Sequence, residues 1–262
     1  MTDLLSLAGA ARRYDLAQPL YAGVPHFPTH PPFAMSVTKL HGELAWPGGA
    51  SSASELISMG GHTGTHIDAL NHFSCAGRIF GGAEIRQSYS GGVEPCSVDT
   101  VEPIARRGLL ADVAGYEGVD ALPADFVVTP EHLDALVPHV EAGDVVLIRT
   151  GWARYWNDPV QFVTAGRRTA PTGPGPELAA AQWLSARKTF AAGSDTLAFE
   201  RVPSPGMAVH VHLLVESGIH IIENLNLEEL ARDGVQEFLF VATPLKIRGA
   251  TGSPIRPFAL VT

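Results

Sequence analysis

The chain has 262 residues, 45% hydrophobic and 17% charged, with a formal net charge of −9 at pH 7. That length and apolar content support a sizeable core, while the acidic balance, with no block of Lys or Arg against it, excludes the basic footprint of a nucleic-acid binder. No apolar run approaches a membrane span and residues 1–13 lack a leader-like pattern, so a cytoplasmic protein with no membrane partner is expected.

In chain order, the first 90 residues are rich in Gly, Pro and Ser, and alternating stretches at residues 34–40 and 54–59 predict antiparallel hairpins. The two cysteines, Cys75 and Cys96, are too few for a disulfide framework and wrongly spaced for a thiolate zinc site. Cys75 follows His72 by three residues, but no separate base is placed beside it, and inert thiols are the commoner case. Further on, short β-branched runs at residues 145–148, 189–192, 219–222 and 238–241 predict interior strands. Helical windows at residues 130–140, 177–187 and 227–231 each open on a Pro, Thr or acidic residue suited to a helix start. Residues 156–176 carry Gly166, Pro171, Gly173, Pro174, Gly175 and Pro176; they predict a long irregular segment bordering the active site or a subunit interface. With no repeat and no linker, the expectation is one α/β domain over residues 1–262, strand-rich first and alternating afterwards.

The chemistry concentrates in His62-Thr63-Gly64-Thr65-His66-Ile67-Asp68, with His72 four positions later, so that one short run holds three of the chain's 11 histidines. A divalent cation needs lone pairs fixed about 2 Å away, and neutral imidazoles with a carboxylate supply them while leaving positions for water and substrate. In an extended segment His66 and Asp68 face one side, and a turn at Thr63-Gly64 brings His62 back towards them. A lone histidine is usually a satisfied loop residue, but four clustered ligand residues point to a metal, with His72 placed to carry a proton. A second cluster, His210-Val211-His212, is followed by His220 and Glu223. Glu223 ends an apolar run and needs a compensating partner, which makes His210 and Glu223 the stronger candidates; His220 is expected to face solvent or lie on a helix face. Among Phe27, Trp46, Phe73, Phe80, Trp152 and Trp156, the residues put forward as substrate contacts are Phe27, Trp46 and Trp152. Arg149 is suited either to a substrate carboxylate or to a structural acid.

The segment from His62 to Phe73 resembles the signature HxGTHxDxPxH of the cyclase-type metal-dependent hydrolases, a family that includes kynurenine formamidase and isatin hydrolase. Supporting matches lie at Gly193-Ser194-Asp195-Thr196, at His210-Val211-His212-Leu213-Leu214, and at residues 218–227 and 246–257. The resemblance implies that His62, His66 and Asp68 hold a metal, that His72 is the acid/base, and that His210 and Glu223 help to hold a second ion. One or two ions of Mn2+ or Zn2+ are implied. So are a swivelling β/β/α fold, with a barrel-like mixed sheet and outer helices, and a homodimer or homotetramer in which residues 21–33 suit completion of a neighbour's pocket. The implied activity is hydrolysis of an amide-type C–N bond in a small-molecule substrate, a linear formamide or a cyclic amide such as isatin, by metal-activated water. Leu70 stands where the signature has proline, and His210 and Glu223 are one residue further apart than in the formamidase branch. The other readings are a cyclase or dehydratase, a lactone hydrolase, and a non-catalytic metal-binding protein; structural zinc sites close with four protein ligands and favour Cys, which weighs against the last.

Overall fold

The computed structural model describes residues 6, 9–167 and 170–262. Residues 1–5 and 7–8, inside the stretch read for a leader, and residues 168–169, inside the stretch expected to be irregular, lie outside the described residues.

Four parallel strands form the centre: Ile104–Asp112, Val145–Arg149, Ala191–Ser194 and His220–Glu223. Beyond the first of these, Glu237–Ala242, Phe258–Val261 and Arg12–Asp15 continue the sheet antiparallel; beyond the last, His66–Asp68 and Gly252–Pro254 do the same, giving nine strands. Val145-Val146-Leu147-Ile148 is buried on both faces, as parallel strands between two layers must be. One alternate set of side chains, including Val146, Ile148, Ala192 and Ile221, packs against Leu133, Leu184 and Leu213 of the covering helices. The other set, with Val145, Leu147, Ala191 and Ile222, joins Phe238, Phe240 and Leu230 in a second core. That second core holds Tyr14 from one edge strand together with Ile67 from next to the opposite edge, so the sheet curls into a half-barrel around it. The mixed α/β class and barrel-like centre implied by the resemblance are therefore present.

The four short runs are strands and the three helical windows are helices, Pro130–Leu136, Leu178–Ala186 and Glu228–Arg232, with bounds displaced by a few residues. The longest strand, Ile104–Asp112, was not expected, because Arg106-Arg107-Gly108 interrupts its apolar pattern. Gly108 belongs there because a Cβ would collide with the Phe238 ring on the adjacent strand. The stretch from residue 156 is also more regular than expected: Pro159–Thr164 is a helix, started by the Asp158 carboxylate accepting from the Gln161 N–H. Among the described residues no helix is long and apolar enough to cross a membrane.

Arg149 closes its strand on a structural acid pair. Its guanidinium donates to Asp112 Oδ1 at 2.7 Å and to both carboxylate oxygens of Glu228 at 2.9 Å. Replacing it leaves two partly covered carboxylates without a counter-charge, so Arg149→Met is expected to lower the unfolding free energy by about 2–3 kcal/mol in denaturant titration. KM should stay unchanged; a selective rise in KM with full stability would return Arg149 to the substrate.

Candidate metal centre

The His66–Asp68 strand turns His66 and Asp68 to one face and sends Ile67 into the second core. Gly64, at φ +73, makes the turn that returns His62 to this face; a side chain there would be strained and would meet Leu20. Strand register sets Glu223 opposite His66 and Ile221 opposite Asp68. His210 arrives from the other layer, at the end of a helical turn, Ala208–His210, that runs into a π-helical segment, Val211–Ser217, a local geometry frequent at functional sites.

These side chains converge. His66 Nε2 lies 3.5 Å from Asp68 Oδ1 and 3.4 Å from Glu223 Oε2, while His210 Nε2 lies 3.3 Å from Glu223 Oε1 and 3.9 Å from Asp68 Oδ2. Each imidazole is oriented through its other nitrogen: His66 Nδ1 donates to the Gly64 carbonyl at 2.8 Å, and His210 Nδ1 to the Glu200 carboxylate at 2.6 Å. Both Nε2 atoms are thereby aimed at the cluster centre, the arrangement typical of metal-bound histidines. His62 Nδ1 sits 2.7 Å from Asp68 Oδ1, and its Nε2 2.9 Å from Thr251 Oγ1. The His62 ring fills the space in front of Gly252, where a Cβ would clash with it.

Two observations show that this set fits a divalent cation. Asp68 Oδ2 is buried and has no hydrogen-bond partner, a costly state for a carboxylate unless an ion takes it up. Donor atoms sharing an ion about 2 Å away lie roughly 3–3.5 Å apart, which is the spacing found among His66, His210 and Glu223. Two overlapping trios have ligand geometry, His62/Asp68/His72 and His66/Asp68/Glu223, with Asp68 common to both.

Without an ion the cluster balances itself by proton position. Burial opposes a charged imidazole, but the Asp68 and Glu223 carboxylates outweigh it and raise His66 to about 10; Glu200 and Glu223 do the same for His210, also to about 10. Burial would raise the two acids, yet the surrounding imidazoles hold Asp68 well below the usual carboxylate range and Glu223 down at about 2. His72 differs: burial, reinforced by its neighbours His62 and His210, depresses it to about 3 and leaves it neutral. Its ring stacks on His62 with centroids 3.9 Å apart.

A cavity of about 290 Å³ opens over the cluster, bounded by His62, His72, His210 and Glu223 below and by Phe27, Phe73, Leu197 and Met207 as apolar wall. The structure thus brings Phe27 to the site together with His62, His66, Asp68, His72, His210 and Glu223. It does not bring Trp152 or Trp46 there. Trp152 is core: its indole N–H donates to the Phe162 carbonyl at 2.9 Å, and the ring packs among Val24, Phe33 and Trp156. Trp46 lies exposed in the connection between strands Ala34–Lys39 and Ser54–Ser58. Among the described residues, none of the 156–176 stretch lines the cavity; Trp156 and Phe162 stand in the packing behind Phe27. His220, expected to face outward, is buried and donates through Nδ1 to the Asp68 carbonyl at 2.9 Å, holding the backbone of that residue. His212 is half-buried away from the cavity, its ring held between Ser185 and Glu216.

Glu200 and His30 escaped the sequence reading. Glu200 is a buried acid closing the apolar run Leu197-Ala198-Phe199, the same signal that flagged Glu223. His30 lines the cavity with its ring 5.2 Å from that of His62 and a buried Nδ1 lacking a partner; a lone histidine among prolines gives no pattern to read.

Fold and site together define an α/β protein with a buried His/Asp/Glu centre suited to a divalent cation. The chain belongs to the Cyclase family, described as "Putative cyclase", which matches residues 14–201. It is 31% identical over 210 residues to an isatin hydrolase of Roseibium aggregatum, covering 78% of this chain and 73% of that one. It is 27% identical over 249 residues to a kynurenine formamidase of Bacillus cereus, covering 92% and 94%. A crystal structure of a novel cyclase superposes with a TM-score of 0.87 at 28% identity, over 98% of this chain and 89% of the other. An isatin hydrolase bound to the product analogue thioisatinate gives 0.77 at 25% identity, over 97% and 94%.

Metal binding must strip the protons from His66 and His210, whereas Asp68 and Glu223 are already ionised. Adding Zn2+ or Mn2+ near pH 7 is therefore expected to release about two protons, with affinity rising with pH until those imidazoles deprotonate unaided. Calorimetry in buffers of different ionisation enthalpy measures this, and release of none would contradict the protonation pattern. Gly252→Ala should push the His62 ring aside and reduce metal content in elemental analysis while the fold is retained.

Proposed function

We propose that this protein is a metal-dependent hydrolase that cleaves an amide-type C–N bond of a small molecule, a linear formamide or a cyclic amide. The observation that carries the proposal is the buried, unpartnered Asp68 oxygen, ringed by oriented imidazoles and facing a cavity that also holds a neutral histidine. The names of the relatives, isatin hydrolase and kynurenine formamidase, support this bond type.

His66, Asp68, His210 and Glu223 would hold one ion, with His62 and Asp68 available to a second. When bound, Zn2+ or Mn2+ polarises a carbonyl and makes water acidic enough to attack at neutral pH. His66 and His210 are kept in register for this by Gly64 and Glu200. The His72 ring is neutral and makes no hydrogen bond among the described residues, its backbone N–H alone donating to the Ala69 carbonyl, so the imidazole is placed to take the proton of the attacking water and hand it to the departing nitrogen. Phe27, Phe73, Leu197 and Met207 exclude bulk water and present apolar surface to the substrate. A cavity of about 290 Å³ is at the small end for ligand sites, which suits a substrate of one or two rings.

Metal-loaded protein offered N-formylkynurenine, isatin, cyclic imides and lactones should release titratable acid from an amide substrate. Turnover confined to lactones, or none after reconstitution, would overturn the proposal. His72→Ala should lower kcat by on the order of 100-fold or more with metal content intact; near-normal kcat would remove its proton-carrying role, and loss of metal would make it a ligand.

A further inference from the structure

We infer that Asn224 is a positioning residue of the metal centre: its side chain holds the Gly64 carbonyl that orients His66, and thereby sets how tightly the centre binds its ion. The inference rests on the reading of His66 as a metal ligand.

Asn224 follows Glu223 directly and is 2% exposed. Its Nδ2 donates to the Gly64 carbonyl at 3.0 Å, the same oxygen to which His66 Nδ1 donates at 2.8 Å. A carbonyl has two lone pairs, so one oxygen serves both donors. A second bond ties the same two segments: Thr65 Oγ1 donates to the Asn224 carbonyl at 2.6 Å and accepts from the Gln18 N–H at 2.8 Å. Asn224 is itself anchored, its N–H donating to the Thr196 carbonyl at 3.1 Å.

The residue type follows from two demands made at one position. The Asn224 backbone is left-handed, at φ +57, a region that Gly, Asn and Asp tolerate best, and the Gly64 carbonyl requires a donor. Gly has no side chain and an ionised Asp only accepts, so of the three only Asn meets both demands. The position also carries a cost. With Nδ2 turned to Gly64, Oδ1 is buried without a partner. A left-handed backbone and an orphaned oxygen at one residue beside a metal ligand are local penalties of the kind that collect at functional sites.

What the amide adds is position rather than cohesion. The ladder between His66–Asp68 and His220–Glu223 stops at the pair His66 and Glu223, so Gly64 lies beyond it in a turn of its own, at φ +73. Unheld, that carbonyl would swing with the turn, and the His66 ring would follow it because Nδ1 is bonded there. His66 Nε2 now stands 3.4 Å from Glu223 Oε2, and a rotation of the ring opens that pair and the ligand set with it. Groups that orient metal-bound imidazoles contribute about 10- to 100-fold to affinity. Here two bonds in series carry that task, Asn224 to Gly64 and Gly64 to His66.

Asn224→Gly keeps a residue at ease in the left-handed backbone and removes the donor, and titration of the metal-free full chain with Zn2+ reads the effect. The dissociation constant is expected to rise about 10- to 100-fold over wild type. The metal-free variant should melt no more than about 4 °C lower, since His66 still satisfies the Gly64 carbonyl and the loss of one hydrogen bond shifts a chain of this size little. Wild-type affinity in the variant overturns the inference and leaves His66 as a ligand, whereas a wild type that takes up no Zn2+ overturns it together with the proposed function. Weaker binding with melting lowered further makes Asn224 merely structural and also overturns it. If the variant does not fold, the wild type decides by linkage: an ion held tighter because of this bond must hold the bond closed in return. Slower hydrogen exchange of the Asn224 side-chain amide on adding Zn2+ supports the inference, and unchanged exchange overturns it.

Discussion

A carboxylate as deeply buried as Asp68 persists only where positive charge surrounds it, and much of the molecule is arranged to meet that condition. The half-barrel places the strand carrying it between Gly252–Pro254 and His220–Glu223, so its backbone is fixed from both sides and its side chain has one direction to face. His62 and His66 reach it from its own segment, while His210 approaches from the helical layer. Glu223 and Glu200 then balance the imidazoles that balance Asp68. A metal ion would replace the protons this network now carries, which gives one physical reason for the convergence, the unpartnered oxygen and the raised imidazoles alike.

The site was more legible in the sequence than its surroundings because its core is local. His62, His66 and Asp68 lie within one turn and one strand, and period-two alternation plus a glycine turn suffices to bring them together. His210 and Glu223 are remote in sequence and were marked by burial logic, an acid at the end of an apolar run. Glu200 obeys the same logic, but nothing in its neighbourhood contains the histidine it orients. The aromatic candidates read less well, since whether Trp152 faces a cavity or Phe162 is decided by tertiary packing rather than by residue type. His220 failed for a related reason: alternation on its strand gives two faces, and here both are covered. The strand Ile104–Asp112 was obscured because its Arg106-Arg107-Gly108 stretch is shaped by partners, Asp144 for Arg107 and Phe238 for Gly108.

The fold separates two tasks. The parallel centre is sealed by apolar contacts on both faces, whereas the cavity wall is built from segments at its margin: the stretch holding Phe27 and His30, the Leu197–Ala198 turn and the Met207 loop.

The central claim is that Asp68 anchors a metal, and the shape-preserving substitution Asp68→Asn tests it most directly. Elemental analysis of the purified, reconstituted variant beside the wild type should show metal lost from the variant, with circular dichroism unchanged because an amide of the same shape can still bond to His62. Full metal stoichiometry in Asp68→Asn would contradict the account.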